Sequence, residues 1–193
     1  MNLGLLRSDL ELINSIVVDQ IKRFEADFLN SPAKVKVLVG GHKIRTGEGN
    51  VIELEAGTTV ELERWIAEEL VKSGIAAPRD EDQLDRVALN RLRWLETSVS
   101  SDYPRPLPQG FYPLARRLLS GARAANQAIA GEVDSAVREI VNARVRKVLR
   151  FASAPNHVTD VYDSLQPEEQ LLYNVVRNCL NAWKEGVLGA GWK

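Results

Sequence analysis

Three kinds of side chain in this 193-residue sequence could act on a substrate: two histidines, one cysteine and a pair of adjacent glutamates. A histidine titrates near neutrality and serves as a general base when a nucleophile lies within hydrogen-bond reach. His42 follows Gly40-Gly41 and His157 follows Pro155-Asn156, both in stretches that read as loops, and neither has a nucleophile close in sequence. Cys179 falls on the apolar stripe of a predicted helix, where a buried structural thiol is expected, and no cation flanks it closely. Glu168-Glu169 could form an acid and base pair. They also stand in a predicted first helical turn, where negative charge is favoured by about 0.3–1 kcal/mol regardless of function.

Gly47-Glu48-Gly49 opens like a dinucleotide loop, yet Ile52 occupies the place of the third glycine and no helix follows at once. The sequence has neither a phosphate loop ending in Gly-Lys-Ser/Thr nor a Gly-x-Ser-x-Gly elbow. One cysteine and two histidines fall short of the four ligands of a Cys/His zinc site, and a lone cysteine closes no internal disulfide. These residues point away from an enzyme and give no reason to expect a cofactor or metal.

Hydrophobic residues make up 45% and charged residues 26%, the balance of an ordinary globular protein. No apolar run approaches the ~20 residues that cross a bilayer. The opening Met1 to Leu6 is too short for a signal segment, so the protein is expected to stay where it is made. The net charge of −1 argues against non-specific nucleic-acid binding by the whole molecule. Residues 116–150 nonetheless hold 8 basic side chains against 3 acidic ones and form a candidate contact surface.

The elements that must position these groups follow from periodicity. Leu10, Ile13, Val17, Ile21, Phe24 and Phe28 form one helical stripe, with Ser8 as N-cap and Ser31-Pro32 as the stop. Val35, Val37 and Val39 then alternate up to Gly40-Gly41, and 51–55 gives a second β-branched run; the two are expected to pair across a loop. From Thr58 onward every pattern is helical. The stripes are Val60, Trp65, Ile66, Ala67 and Leu70; then Leu84, Val87, Ala88, Leu92, Leu95 and Val99, opened by Asp80-Glu81-Asp82. After the linker Pro104 to Pro108 come Phe111, Leu114, Ala115, Leu118 and Leu119, up to a loop around Gly131. The next stripe is Val137, Val141, Val145, Val148 and Ala152. The last helix starts near Pro167, carries Leu172, Val175, Val176, Cys179 and Trp183 on its buried side, and stops at Gly186. The expected fold is mainly α within the α+β class: residues 1–57 carry a helix plus a small β-module, and 58–193 form a helical domain of about four to five helices. Arg146, Lys147 and Arg150 point away from the valine stripe. Arg144 sits at its border, where it can pair with a carboxylate within the chain or across an interface.

Three strings and their order resemble the GINS family, a replication-fork complex that activates the replicative helicase. Pro106-Leu107-Pro108-Gln109-Gly110-Phe111-Tyr112 looks like the proline-aromatic lead into a helix of the GINS helical domain. Ala143-Arg144-Val145-Arg146-Lys147-Val148 is similar to the family's Arg-apolar-x-Lys-apolar helix. Leu165-Gln166-Pro167-Glu168-Glu169-Gln170-Leu171-Leu172-Tyr173 looks like the opening of the last helix in archaeal members. The segment from Val35 to Gly74 resembles the small domain and first helix of the second GINS subunit of eukaryotes. The likeness spans about 34–186; the helix at 9–29 and the tail 189–193 have no counterpart in it.

The resemblance implies an archaeal subunit of the two/three type, non-catalytic, joined to a second GINS subunit of the five/one type, two copies of each. It implies further contacts with the MCM helicase and a RecJ-like nuclease homologue, weak or indirect contact with DNA, no membrane, and a cytoplasmic, nucleoid-associated location. The expected partner-interface residues are Arg116, Arg117, Arg144, Arg146, Lys147, Arg150 and Tyr173. A rival from another class is a helical nucleic-acid-binding regulator working through 116–150.

Overall fold

The computed structural model describes residues 3–47, 49–79, 83–98, 103–155 and 159–189, with the side chains of 3–8 and Ser98 left aside. It divides into two compact units, Met1–Gln83 and Leu84–Lys193. Helix prevails over strand, and a small β-module precedes the helical part, as the sequence patterns predict.

The first unit begins with α1 (Leu3–Asn30), which runs six residues further toward the N-terminus than the predicted start at Asp9, so Ser8 lies inside the helix. Its end is the predicted one: the Ser31 hydroxyl donates to the Phe28 carbonyl at 2.7 Å, and Pro32 opens the next strand. Strand β1 (Pro32–Val37) turns Ala33, Val35 and Val37 inward, so Val39 is not the third inward residue and is exposed instead. The pairing differs from the expected one. β1 lies between β4 (Thr59–Glu63) and β5 (Ala76–Pro78), antiparallel to both, with Val35 opposite Val60 and Pro78. The 51–55 run, β3 (Val51–Leu54), pairs instead with β2 (His42–Arg45), closed by a turn in which Thr46 N–H donates to Asn50 O. The turn residues at 46–50 make a local hairpin cheaper than a longer-range pairing.

The helical pattern expected from Thr58 onward does not begin there: β4 takes 59–63, and α2 (Arg64–Lys72) starts after it, burying Ile66, Ala67 and Leu70 against the sheet. Gly74 ends it in the left-handed region (φ 73°), which a glycine enters without steric cost. Residues 58–78, read from sequence as the start of the helical domain, thus pack in the first unit.

The second unit holds α3 (Arg86–Ser98), α4 (Phe111–Ala125), α5 (Gln127–Ser153), α6 (Thr159–Asp163) and α7 (Pro167–Leu188). The Asp85 carboxylate caps α3 by accepting from Ala88 N–H at 2.7 Å. The acidic run Asp80 to Asp82 and Val99 lie outside the described residues. Val87 falls off the buried stripe of α3, which uses Leu89 instead. The break between α4 and α5 comes at Asn126, whose side chain accepts from Ala128 N–H, and Gly131 lies inside α5. The buried face of α5 is Ala130, Val133, Ala136, Ile140, Ala143, Arg144, Val148, Phe151 and Ala152. Val148 and Ala152 hold their predicted places, but over the rest of the helix the face is rotated away from Val137, Val141 and Val145, which are half-buried. α6 has no counterpart in the sequence reading.

Candidate functional site

The rotation of α5 moves Arg144 from the border of a stripe to the centre of the second unit, where it is 0% exposed. Its guanidinium grips Glu169 of α7 side-on, Nε to Oε1 at 2.7 Å and Nη2 to Oε2 at 2.6 Å. Nη1 donates to Glu96 Oε1 of α3 at 3.1 Å and to the backbone carbonyl of Arg105 in the proline-rich linker. One turn on, Lys147 Nζ reaches Glu96 Oε2 at 2.7 Å and the Glu96 carbonyl at 3.2 Å. Two carboxylates thus meet two cations, and buried charge is compensated within the cluster.

Glu169 has two further donors. The Tyr112 hydroxyl of α4 gives Oε1 a hydrogen bond of 2.7 Å, and Gln166 N–H gives Oε2 one of 3.0 Å, which closes the first turn of α7. Gln166 in turn accepts from Gly110 N–H and donates to Leu107 O, which fastens the lead into α4. Burial, then the Glu169 charge and hydrogen bond, push the Tyr112 hydroxyl far above its ordinary titration range. For Arg144, burial pulls down but the Glu169 and Glu96 carboxylates outweigh it, so the guanidinium is held charged. This cluster locks α3, the linker, α4, α5 and α7 together, with its donors and acceptors spent on one another.

Among the residues expected at a partner interface, Arg144 and Tyr173 are buried within the chain and Lys147 nearly so, and Arg144 takes the within-chain pairing its position allows. Tyr173 is buried between Phe151 (centroids 4.7 Å apart) and Tyr162 (5.3 Å). Lys147 keeps only 12% of its side chain exposed. Arg116, Arg146 and Arg150 are exposed, while Arg117 is half-buried and donates to Pro113 O on its own helix. Arg146 and Arg150 share one face of α5, and the two arginines of α4 are apart from them in sequence and element.

Sequence reasoning missed Glu96, Tyr112 and Gln166. Glu96 did carry a signal: it follows Leu89 and Leu92 at helical spacing, a carboxylate in a core position that calls for a buried cation.

The other candidates stand as follows. His42 is not in a loop; it begins β2 opposite Leu54 and is exposed. His157 lies outside the described residues. Cys179 is exposed rather than buried; the buried residues of α7, Glu169 and Tyr173, lie near its start. Trp183 (62%), expected on the buried stripe, is exposed as well, as are Val187 and Leu188 beyond the predicted stop at Gly186, and α3 exposes Val87 and Trp94 (61%). Among the described residues, no group of three or more His, Cys, Asp or Glu side chains converges as a metal site, and no helix is long and apolar enough to cross a membrane.

Compared with known families, residues 80–188 match the model of the GINS complex protein helical bundle domain, a span running from just before α3 through α7. No curated protein matches the chain.

Proposed function

The chain belongs to the GINS complex protein family, and from that premise we propose that it is a non-catalytic subunit that scaffolds and activates the replicative MCM helicase. Its contribution is differential binding: contacts made only in the helicase arrangement that unwinds DNA shift the population toward it. The helical unit joins a second GINS subunit of the five/one type, two copies of each. The β-containing first unit corresponds to the small domain that precedes the helical one in archaeal subunits of the two/three type. A RecJ-like nuclease homologue completes the assembly, which works at the nucleoid.

One observation carries this reading. The saturated ion cluster fixes the bundle from within, while Trp94 and Trp183 stand outside it, each more than three-fifths exposed. Exposed tryptophans on a rigid helical frame are the anchors of protein interfaces. Arg116, Arg117, Arg146 and Arg150 are assigned to acidic surfaces of the same partners.

The test is an unwinding assay with MCM helicase, its forked DNA substrate, and the chain assembled with its partner subunit. Stimulation that needs both subunits supports the reading. Unchanged unwinding, together with tight and steeply salt-dependent DNA binding by the chain alone, would replace it with a nucleic-acid-binding regulator.

A further inference from the structure

Helix α1 spans 28 residues, about 42 Å at 1.5 Å per residue. Its C-terminal part is anchored on α2: Arg64 lies over the Phe28 ring at 4.4 Å and bonds to Ser31 and Pro32. Ile21, Phe24 and Phe28 are half-buried there. Further back, Leu10, Leu12, Ile13, Ile16 and Val18 are between 43% and 61% exposed. Between Glu11 and Asp19 there is no charged side chain at all. An apolar window of this kind on a solvated helix is an interface lacking its other side.

Charge placement identifies that other side. Asp9, Ile13, Ile16, Gln20 and Arg23 recur at spacings of 4, 3, 4 and 3, the seam of a two-helix coil. At 100° per residue this seam lies about a quarter turn from the Ile21, Phe24 and Phe28 face, so both can be covered at once. A parallel pair of such seams sets Asp9 against Asp9 and Arg23 against Arg23. An antiparallel pair with its two-fold axis at Ile16 sets Asp9 of each copy opposite Arg23 of the other. It also stacks Ile16 on Ile16 and lays Ile13 along the stem of Gln20. Both ends of the window are then complementary in charge, and the interface is closed by symmetry.

We propose that α1 pairs antiparallel with α1 of a second copy of this chain through the Asp9 to Arg23 seam. The contact needs no other subunit and stands apart from the replication reading.

Its test uses the purified full chain. Light scattering and sedimentation should give a concentration-dependent dimer that Ile16→Lys dissociates, with unchanged circular dichroism because the site is exposed. Asp9→Arg should weaken the dimer at least tenfold, and adding Arg23→Asp should restore it. In a Cys179→Ser background, Ile16→Cys should give a disulfide-linked dimer on mild oxidation, whereas Asp9→Cys should do so only when Arg23→Cys is present as well. A monomer at all concentrations, a dimer indifferent to Ile16→Lys, or Asp9→Cys linking to itself would overturn the proposal. The first two outcomes assign the face to a different occupant, and the third makes the pairing parallel.

Discussion

Arg144 and Glu169, 25 positions apart and on different helices, meet as a bidentate pair with contacts of 2.7 and 2.6 Å and side chains no more than 3% exposed. Breaking one side of such a pair strands the other in a medium that solvates it poorly. Glu169→Ala is expected to destabilise the second unit by about 3–5 kcal/mol, and Arg144→Ala by a similar amount. Denaturant unfolding measures both, and the double variant should fall well short of the sum, since the two share one network.

Raising the pH should weaken the fold through Tyr112. In the folded chain its hydroxyl keeps its proton well above the ordinary value of 10.0, owing first to burial and then to Glu169. The unfolded chain releases that proton near pH 10, so above that pH the folded state binds more protons and its stability falls as pH rises. The slope for one proton approaches about 1.4 kcal/mol per pH unit, and below pH 10 this contribution is fully present. Tyr112→Phe should flatten the profile between pH 10 and 11, at a cost of about 1.5–3 kcal/mol near neutrality for the hydrogen bond to a carboxylate. Unfolding curves of both proteins across that window provide the comparison.

The two exposed tryptophans should separate folding from assembly. Trp183→Ala and Trp94→Ala are each expected to leave the stability of the isolated chain within about 0.5 kcal/mol. Titration against the second GINS subunit should show a loss of about 2 kcal/mol for whichever of them anchors that interface, roughly 30-fold in affinity.

Two glycines offer opposite outcomes from one substitution. A Cβ on Gly40 would stand 2.8 Å from the backbone nitrogen of Ala56, so Gly40→Ala should destabilise the first unit by about 1–3 kcal/mol. Gly131 lies inside α5 with nothing within 4 Å of a Cβ, so Gly131→Ala should stabilise the second unit by about 0.5–1 kcal/mol. Thermal unfolding of the two variants distinguishes them by sign.

The sequence makes the helices legible because their apolar residues recur at 3.6-residue spacing, and the stops at Ser31-Pro32 and Gly74 are local chemistry. Strand partners are set by contacts distant in sequence, so local alternation does not reveal that β1 pairs with β4 rather than with 51–55. The burial of Arg144 was hidden for a related reason. Valines at 137, 141 and 145 look like the core face, yet the smaller alanines at 130, 136 and 143 are the buried ones. Trp183 and Cys179 lie on an apolar stripe yet are exposed; periodicity alone does not tell an inward face from an outward one.

The most direct measurement is recovery of the tagged chain from its native cells, with mass spectrometry of what accompanies it and light scattering of the eluate. The account predicts a discrete complex holding a second GINS subunit together with MCM helicase components. A free chain accompanied only by nucleic acid would contradict it.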